Sequence, residues 1–236
     1  SVIQCLRHNK YMYEYFKKDY FTKHLNKSSN IYYLLTAIWK QLLIDFWSNN
    51  SLIIQPRGFV GNFQRICANK KKYEFTCGQQ SDAGEFLQFF LDNLHEATKI
   101  KIESKMTEIK GEIKTKRDQL MYDFYKFFGT HLEKLGCSPI SKQFEGFYCS
   151  SISNDHDKKI SNSFEPFFYI NLEISKLAHN ATLEQALTNF TAPEILDDYQ
   201  NEKYSDTTVF QKEIRFINLP SELIIMFKRF DNMGNK

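Results

Sequence analysis

Asp82 and Glu85 stand three residues apart, directly ahead of an apolar run formed by Phe86, Leu87, Phe89, Phe90, Leu91 and Leu94. An acidic residue followed three positions later by Glu is a capping-box pattern, with Asp in place of Ser or Thr. It predicts a buried helix whose first turn presents backbone N–H groups beside a carboxylate. Two chemistries are open to that carboxylate. It closes the helix end, or it forms part of a binding site. Gln79, Gln80 and Ser81 add hydrogen-bonding side chains to the same entrance. The stretch Gly78–Glu96 is therefore the one around which the chain is organised.

Thiols and imidazoles are the other reactive groups. The cysteines are Cys5, Cys67, Cys77, Cys137 and Cys149, odd in number and scattered. No export signal is legible, so reduced thiols in the cytoplasm or nucleus are expected. Cys5 sits among Val2, Ile3 and Leu6 and is expected to be a buried, inert thiol. Cys67 and Cys77 have no motif around them and read as structural. His8, His24, His131, His156 and His179 have no catalytic setting, and His95 falls inside the capped helix.

The elements that position these groups follow from periodicity. Val2, Ile3 and Leu6 make one helical face, which Tyr13 and Phe16 extend. Lys17–Ser29 reads as a loop. Asn30 opens a helix to about Trp47, with Ile31, Leu34, Leu35, Ile38, Trp39, Leu42, Leu43 and Phe46 at helical spacing. Pro56 and Gly58 bracket a turn before a short helix, Phe63–Ala68. Asn69–Glu74 reads as a lysine-rich, solvated loop. Lys99–Gln119 reads as a long polar helix with the stripe Ile102, Met106, Ile109 and Ile113. That stripe leans on its own domain or, alternatively, forms a partner-binding coiled coil. Met121–Phe128 looks core-facing.

From Gly129 the character changes. Phe168, Ile170, Leu172 and Ile174 alternate at the strand period within Phe164–Ile174. Thr182 to Gln185 is a second capping-box pattern, opening a helix to about Phe190 ahead of Pro193. Val209–Leu219 and Glu222–Phe230 read as strands joined through Pro220 and Ser221. Helices first and strands second is an α+β order.

Composition narrows the classes. The 236 residues carry a formal charge of +3, too near balance for a nucleic-acid partner. No apolar run approaches the roughly 18 residues of a membrane span. The 22 Phe and 13 Tyr supply ample core material. The sequence opens on Ser1 and closes on Asp231-Asn232-Met233-Gly234, a turn after a strand-like run, so a longer parent is expected. In that parent, later strands are expected to cover the apolar edge of Glu222–Phe230.

Gln80-Ser81-Asp82-Ala83-Gly84-Glu85-Phe86-Leu87 resembles the glutamine-rich box of the ubiquitin-specific proteases, papain-like cysteine deubiquitinases. The usual form is Q-Q-D-A-x-E-F-L, and Ser81 departs at the second Gln. Leu91-Asp92-Asn93-Leu94-His95-Glu96 matches its trailing L-D-x-L-H-E. Four further pieces follow in family order. Ser1–Leu6 is similar to the end of the cysteine box N-T-C-Y-M-N-S-V-L-Q-C-L. Phe128-Gly129 to Cys137 is similar to the entry of the fingers, and Phe164–Ile174 to E-P-F-x-x-L-x-L. Leu219-Pro220 to Phe230 is similar to L-P-x-x-L-I-I-x-L-K-R-F.

The resemblance implies an incomplete papain-like fold of the ubiquitin-specific protease type. A mainly helical thumb would span 1–128, and the β fingers and part of the palm 129–236. It implies thiol-dependent hydrolysis after the last glycine of ubiquitin, by a Cys thiolate paired with His and an oriented oxyanion donor. The nucleophile is expected before Ser1, and the His with its Asp or Asn after Lys236. Cys5 then matches the internal Q-C-L cysteine, and no catalytic residue is assigned within the chain. Substrate-binding residues are Gln80, Asp82 and Glu85. Asp82 would meet the arginines of the ubiquitin tail, in a channel between the helical and sheet halves, with Gln80 lining the cleft. Glu85 would reach in or serve as a cap.

Many family members hold zinc in the fingers with two C-x-x-C pairs. Here Cys137 has Ile140 at the partner position, and Cys149 is followed by Ser150, Ser151 and Ile152. Zinc-free fingers are expected, with no cofactor and a monomeric chain whose partner is ubiquitin or a ubiquitinated protein. Two other functions remain open: an inactive ubiquitin-binding or scaffolding module, and a helix-rich interaction protein using the Ile102–Ile113 stripe.

Overall fold

A computed structural model describes residues 2–25, 30–48, 54–76, 78, 80–103, 111–154, 161–174, 180–196, 199, 203 and 208–228. The chain divides into two compact units: Ser1–Lys114 with Phe128–Lys142, and Thr115–Phe127 with Gln143–Lys236. The architecture is α+β, helices before strands, as the sequence order implies.

The first unit holds α1 (Val2–Leu6), α2 (Lys10–Lys17), α3 (Asn30–Ser48), α4 (Arg57–Asn69) and α5 (Ala83–Thr98). Leu35, Trp39, Leu42 and Leu43 line one stripe of α3, and Leu87, Phe90, Leu91 and Leu94 one stripe of α5. All eight are essentially buried. Trp39 meets Phe90 edge-on at 5.0 Å between ring centroids, and Phe63 of α4 packs on Phe90 at 5.8 Å. Burying each such side chain contributes about 1.5–3 kcal/mol. This aromatic seam fixes α5, and with it the Asp82 entrance.

Several expectations are corrected here. Cys5 is exposed, not buried. At ~100° per residue, Val2, Ile3 and Leu6 share a face that Cys5 lies beside, and Leu6 is the one buried residue of α1. Tyr13 and Phe16 do not continue α1. Asn9 stops it by starting α2, its Oδ1 accepting the Met12 N–H at 2.7 Å. Within the expected loop Lys17–Ser29, Tyr20–Lys23 forms a 3-10 turn that buries Phe21. Pro56 and Gly58 do not bracket a turn. Pro56 precedes the first helical residue of α4, where its missing N–H costs nothing.

Of the helix read over Lys99–Gln119, the described residues 99–103 and 111–115 are not helical, and only 116–119 are, as the first turn of a separate helix. Lys99 is extended, and Ile100 exchanges two backbone hydrogen bonds with Cys137, at 2.8 and 3.0 Å. A new helix, α6 (Lys116–Leu135), begins where Thr115 and Asp118 cap each other reciprocally at 2.9 and 3.1 Å. Met106 and Ile109 lie outside the described residues, as do Cys77, Gln79, His156 and His179. Within Met121–Phe128, Phe124 and Phe127 pack on Phe147 and Phe164, while Met121 and Tyr125 face solvent. Gly129 lies inside α6 and marks no change of structure.

Gly136 ends α6 with φ +78°, and its N–H bonds the Leu132 carbonyl at 2.8 Å. A Cβ there would stand 2.6 Å from the Ile100 carbonyl oxygen, so only glycine fits. Ser138 then caps α7 (Pro139–Phe144) by exchanging hydrogen bonds with Ser141, both 3.0 Å. His95 reaches this cap from α5, with Nδ1 2.8 Å from Ser138 Oγ and Nε2 3.1 Å from the Leu135 carbonyl. A carbonyl can only accept, so Nε2 donates to Leu135, while Nδ1 pairs with the Ser138 hydroxyl. The histidine is a structural clamp.

Among the described residues of the second unit the strands are β1 (Gly146–Asn154), β2 (Ser161–Phe167), β3 (Tyr169–Glu173), β4 (Glu194–Leu196), β5 (Phe210–Asn218) and β6 (Ile224–Lys228). The order β2-β1-β5-β4 forms an antiparallel sheet, and β3 pairs with β6 in parallel. β1 and β4 were not anticipated, and the expected single strand Phe164–Ile174 is two, broken at Phe168. The expected alternation holds inside β3: Ile170 and Leu172 are buried while Asn171 is exposed. With Phe167 and Ala186 they form a core cluster, Ala186 coming from α8 (Leu183–Thr191). The Thr182–Gln185 capping box is fully formed, at 2.9 and 3.3 Å. Tyr148 and Glu165 face each other across β1 and β2, and the phenol donates to the carboxylate at 2.8 Å. No helix of the described residues is long and apolar enough to cross a membrane.

Candidate functional site

Asp82 adopts the extended backbone of an N-cap residue, φ −64° and ψ 129°. Its Oδ1 accepts two backbone N–H groups, from Gly84 at 2.7 Å and Glu85 at 2.9 Å. Oδ2 takes part in neither bond. The capping bonds therefore use one oxygen of an exposed residue and leave the other out of the cap. The box is only half built. Glu85 does not return a bond to the Asp82 backbone, and its side chain is exposed. Asp82 thus serves as cap and still has an acceptor to offer a cation.

Beside this carboxylate opens a cleft of about 340 Å³, lined among others by Val2, Ile3, Gln64, Glu74, Ser81 and Asp82. Two stretches far apart in sequence meet in it: the start of α1 and the entrance to α5. Of the three residues assigned to substrate binding, Asp82 lines the cleft. Gln80 and Glu85 are exposed and are not part of its lining.

Sequence reasoning missed Glu74, placed in a loop read as mere solvated surface. The Ser81 hydroxyl donates to the Glu74 carbonyl at 2.6 Å and so ties that loop to the α5 entrance. The Glu74 carboxyl is held below the usual carboxylate range, first by hydrogen bonding to its own backbone N–H and then by Lys72, 3.1 Å away. The only hint in sequence is its position eight residues ahead of Asp82, which no local pattern singles out.

The cysteines divide clearly. Burial first, and the Glu74 charge second, push the Cys67 thiol up to about 12, the reverse of what a nucleophile needs. Cys149 is buried in β1. Cys137 is partly buried beside its backbone pairing with Ile100, and Ile140, at the position where a second zinc ligand would stand, is a buried apolar residue of α7.

A profile described as ubiquitin carboxyl-terminal hydrolase matches residues 1–236. The chain belongs to the ubiquitin carboxyl-terminal hydrolase family. Among similar proteins is ubiquitin carboxyl-terminal hydrolase 4 of Saccharomyces cerevisiae, 26% identical over 259 residues, covering 100% of this chain and 26% of the relative. Ubiquitin carboxyl-terminal hydrolase 4 of Eremothecium gossypii is 27% identical, covering 100% of this chain and 29% of its own. The probable ubiquitin carboxyl-terminal hydrolase 4 of Schizosaccharomyces pombe is 28% identical over 78% of this chain and 31% of its own. The chain therefore spans less than a third of the length of these curated relatives.

The fold is that of solved ubiquitin-specific protease domains. A SAGA DUB module of Ubp8, Sgf11, Sus1 and Sgf73 bound to monoubiquitin superposes with a TM-score of 0.65 at 22% identity, over 100% of this chain and 46% of that one. The module bound to ubiquitin aldehyde gives a TM-score of 0.64 at 21% identity, over the same shares.

Proposed function

We propose that the protein carrying this chain is a cysteine-type deubiquitinase, and that residues 1–236 supply recognition of the ubiquitin tail and not the nucleophile. The observation that carries this reading is the second oxygen of Asp82. The helix cap consumes Oδ1 only, and Asp82 lines a cleft shared with the start of α1. A carboxylate anchored through one oxygen is preorganised, so binding an arginine of the tail costs little further ordering. Gln80 and Glu85, exposed on either side of the cap, contact the same tail outside the cleft. Relatives named ubiquitin carboxyl-terminal hydrolases, and a matched module bound to ubiquitin, support ubiquitin as the partner.

Within the chain itself, Cys67 is too basic for attack, and Cys5 lies at an internal helix position of the cysteine-box pattern. Residues 1–236 alone are therefore expected to be inactive. The odd number and scatter of the cysteines favour a cytoplasmic or nuclear setting.

The test is a ubiquitin probe bearing a C-terminal electrophile, applied to the protein at its full natural length. A covalent adduct is expected. Its absence contradicts the enzymatic reading, and an adduct at Cys5 in residues 1–236 contradicts the assignment of that thiol.

A further inference from the structure

A second cavity, of about 260 Å³, opens within the first unit and shares no lining residue with the Asp82 cleft. Tyr15 of α2, the 3-10 turn Tyr20–Lys23, the end of α5 at Thr98 and the Ile100–Cys137 pairing all contribute to its wall. α5 spans 16 residues, so Thr98 stands about 24 Å from the Asp82 cap at ~1.5 Å per residue.

One polar group of this wall is unsatisfied. Tyr15 is 8% exposed, and its hydroxyl is enclosed without a hydrogen-bond partner. A buried donor left unpaired is costly, and native structures keep few of them. The other buried hydroxyls of the wall are engaged. Thr98 donates to the Leu94 carbonyl at 2.8 Å, and Ser138 caps α7 by accepting the Ser141 N–H at 3.0 Å. Burial first, and Tyr11 second, push the Tyr15 phenol up to about 12, so at neutral pH it is an O–H donor in need of an acceptor. The empty space bordering Tyr15 is this cavity.

The remaining wall selects the acceptor. Tyr20, Ile100 and Pro139 give it apolar surface, and Lys23, His24 and Lys142 line it as exposed basic residues. No Asp or Glu lines it. Among the described residues neither lysine makes an ion pair. The last turn of α5 contributes a partial negative charge of about half a unit, which two lysines outweigh. The volume lies just below the roughly 300–1,000 Å³ of sites for drug-sized ligands, so the ligand is small.

We propose that this cavity binds a small organic monoanion, a carboxylate on an aromatic or branched aliphatic body. The carboxylate accepts from the Tyr15 hydroxyl and pairs with Lys23 and Lys142, and the body fills the apolar part of the wall. The inference is independent of the reading of Asp82.

The probe is phenylacetate, with phenylacetamide as its uncharged isostere, titrated into the full-length protein by ligand-observed NMR at low and high salt. Phenylacetate is expected to bind with a dissociation constant of about 0.1–1 mM. Phenylacetamide binds at least about fivefold more weakly. Tyr15→Phe weakens phenylacetate binding about fivefold or more, and Lys23→Gln and Lys142→Gln about two- to fourfold each, less at high salt. Without ligand, Tyr15→Phe melts at or above the temperature of the parent, because it deletes an unpaired buried hydroxyl. Lys23→Gln and Lys142→Gln are surface changes that leave the melt unchanged, so their effect on binding is read on folded protein. Absence of phenylacetate binding at millimolar concentration overturns the proposal. Equal binding of the amide overturns the anionic class of ligand. Unchanged phenylacetate affinity in Tyr15→Phe overturns the placement at this cavity. A ligand-free melt of Tyr15→Phe well below the parent shows that the hydroxyl is already satisfied and overturns the premise.

Discussion

The Asp82 Oδ1 atom accepts the backbone N–H of Glu85 at 2.9 Å, so the residue assigned to ligand binding also starts the central helix. The two roles separate on substitution. Asp82→Asn keeps an acceptor at the cap and removes the charge. Asp82→Ala removes both. Ala is expected to cost about 1 kcal/mol of stability, and Asn a few tenths. Chemical denaturation checks this, and equal losses for the two variants contradict the capping geometry.

Gly136→Ala tests the junction that brings Cys137 back against Ile100. The left-handed backbone alone costs an L-residue about 1–2 kcal/mol. The new Cβ also meets the Ile100 carbonyl oxygen at 2.6 Å, adding to that cost. A measured loss below about 0.5 kcal/mol contradicts the described turn.

Tyr148 makes the second unit sensitive to alkali. Burial, and then its bond to Glu165, push the phenol from 10.0 up to about 12. The neutral form is favoured in the folded state, so its contribution is fully present below pH 10. It is lost as pH rises from 10 to about 12, where the unfolded chain ionises first. Tyr148→Phe is expected to cost about 1 kcal/mol at neutral pH, through the lost hydrogen bond. It also shallows the decline of stability across that alkaline window. An unchanged pH profile contradicts the assignment.

The helical elements were the more legible. α3 and α5 announce themselves because Leu35, Trp39, Leu42 and Leu43, and likewise Leu87, Phe90, Leu91 and Leu94, each keep one face over several turns. The Thr182–Gln185 box was equally plain, since capping is decided by neighbours in sequence. β1 was not legible. Its run Gly146–Asn154 alternates poorly because much of it is buried on both faces by packing that lies elsewhere in the chain. The break at Phe168 is likewise set by which sheet each half joins, β2 with β1 and β3 with β6. In the site, Asp82 was read from its cap pattern, whereas Glu74 was missed. Its membership depends on a side chain to backbone bond from Ser81, which no periodicity encodes. Cys5 was misread because apolar neighbours in sequence were taken for neighbours in space.

The central claim is that the Asp82 carboxylate binds the basic tail of ubiquitin. The most direct measurement is the affinity of the full-length protein and its Asp82→Asn variant for ubiquitin with and without its C-terminal arginines. The account predicts that Asp82→Asn weakens binding of intact ubiquitin about tenfold, as loss of a charge-assisted bond implies. It also predicts that the variant and its parent bind arginine-free ubiquitin alike. Equal affinity of the two proteins for intact ubiquitin contradicts it.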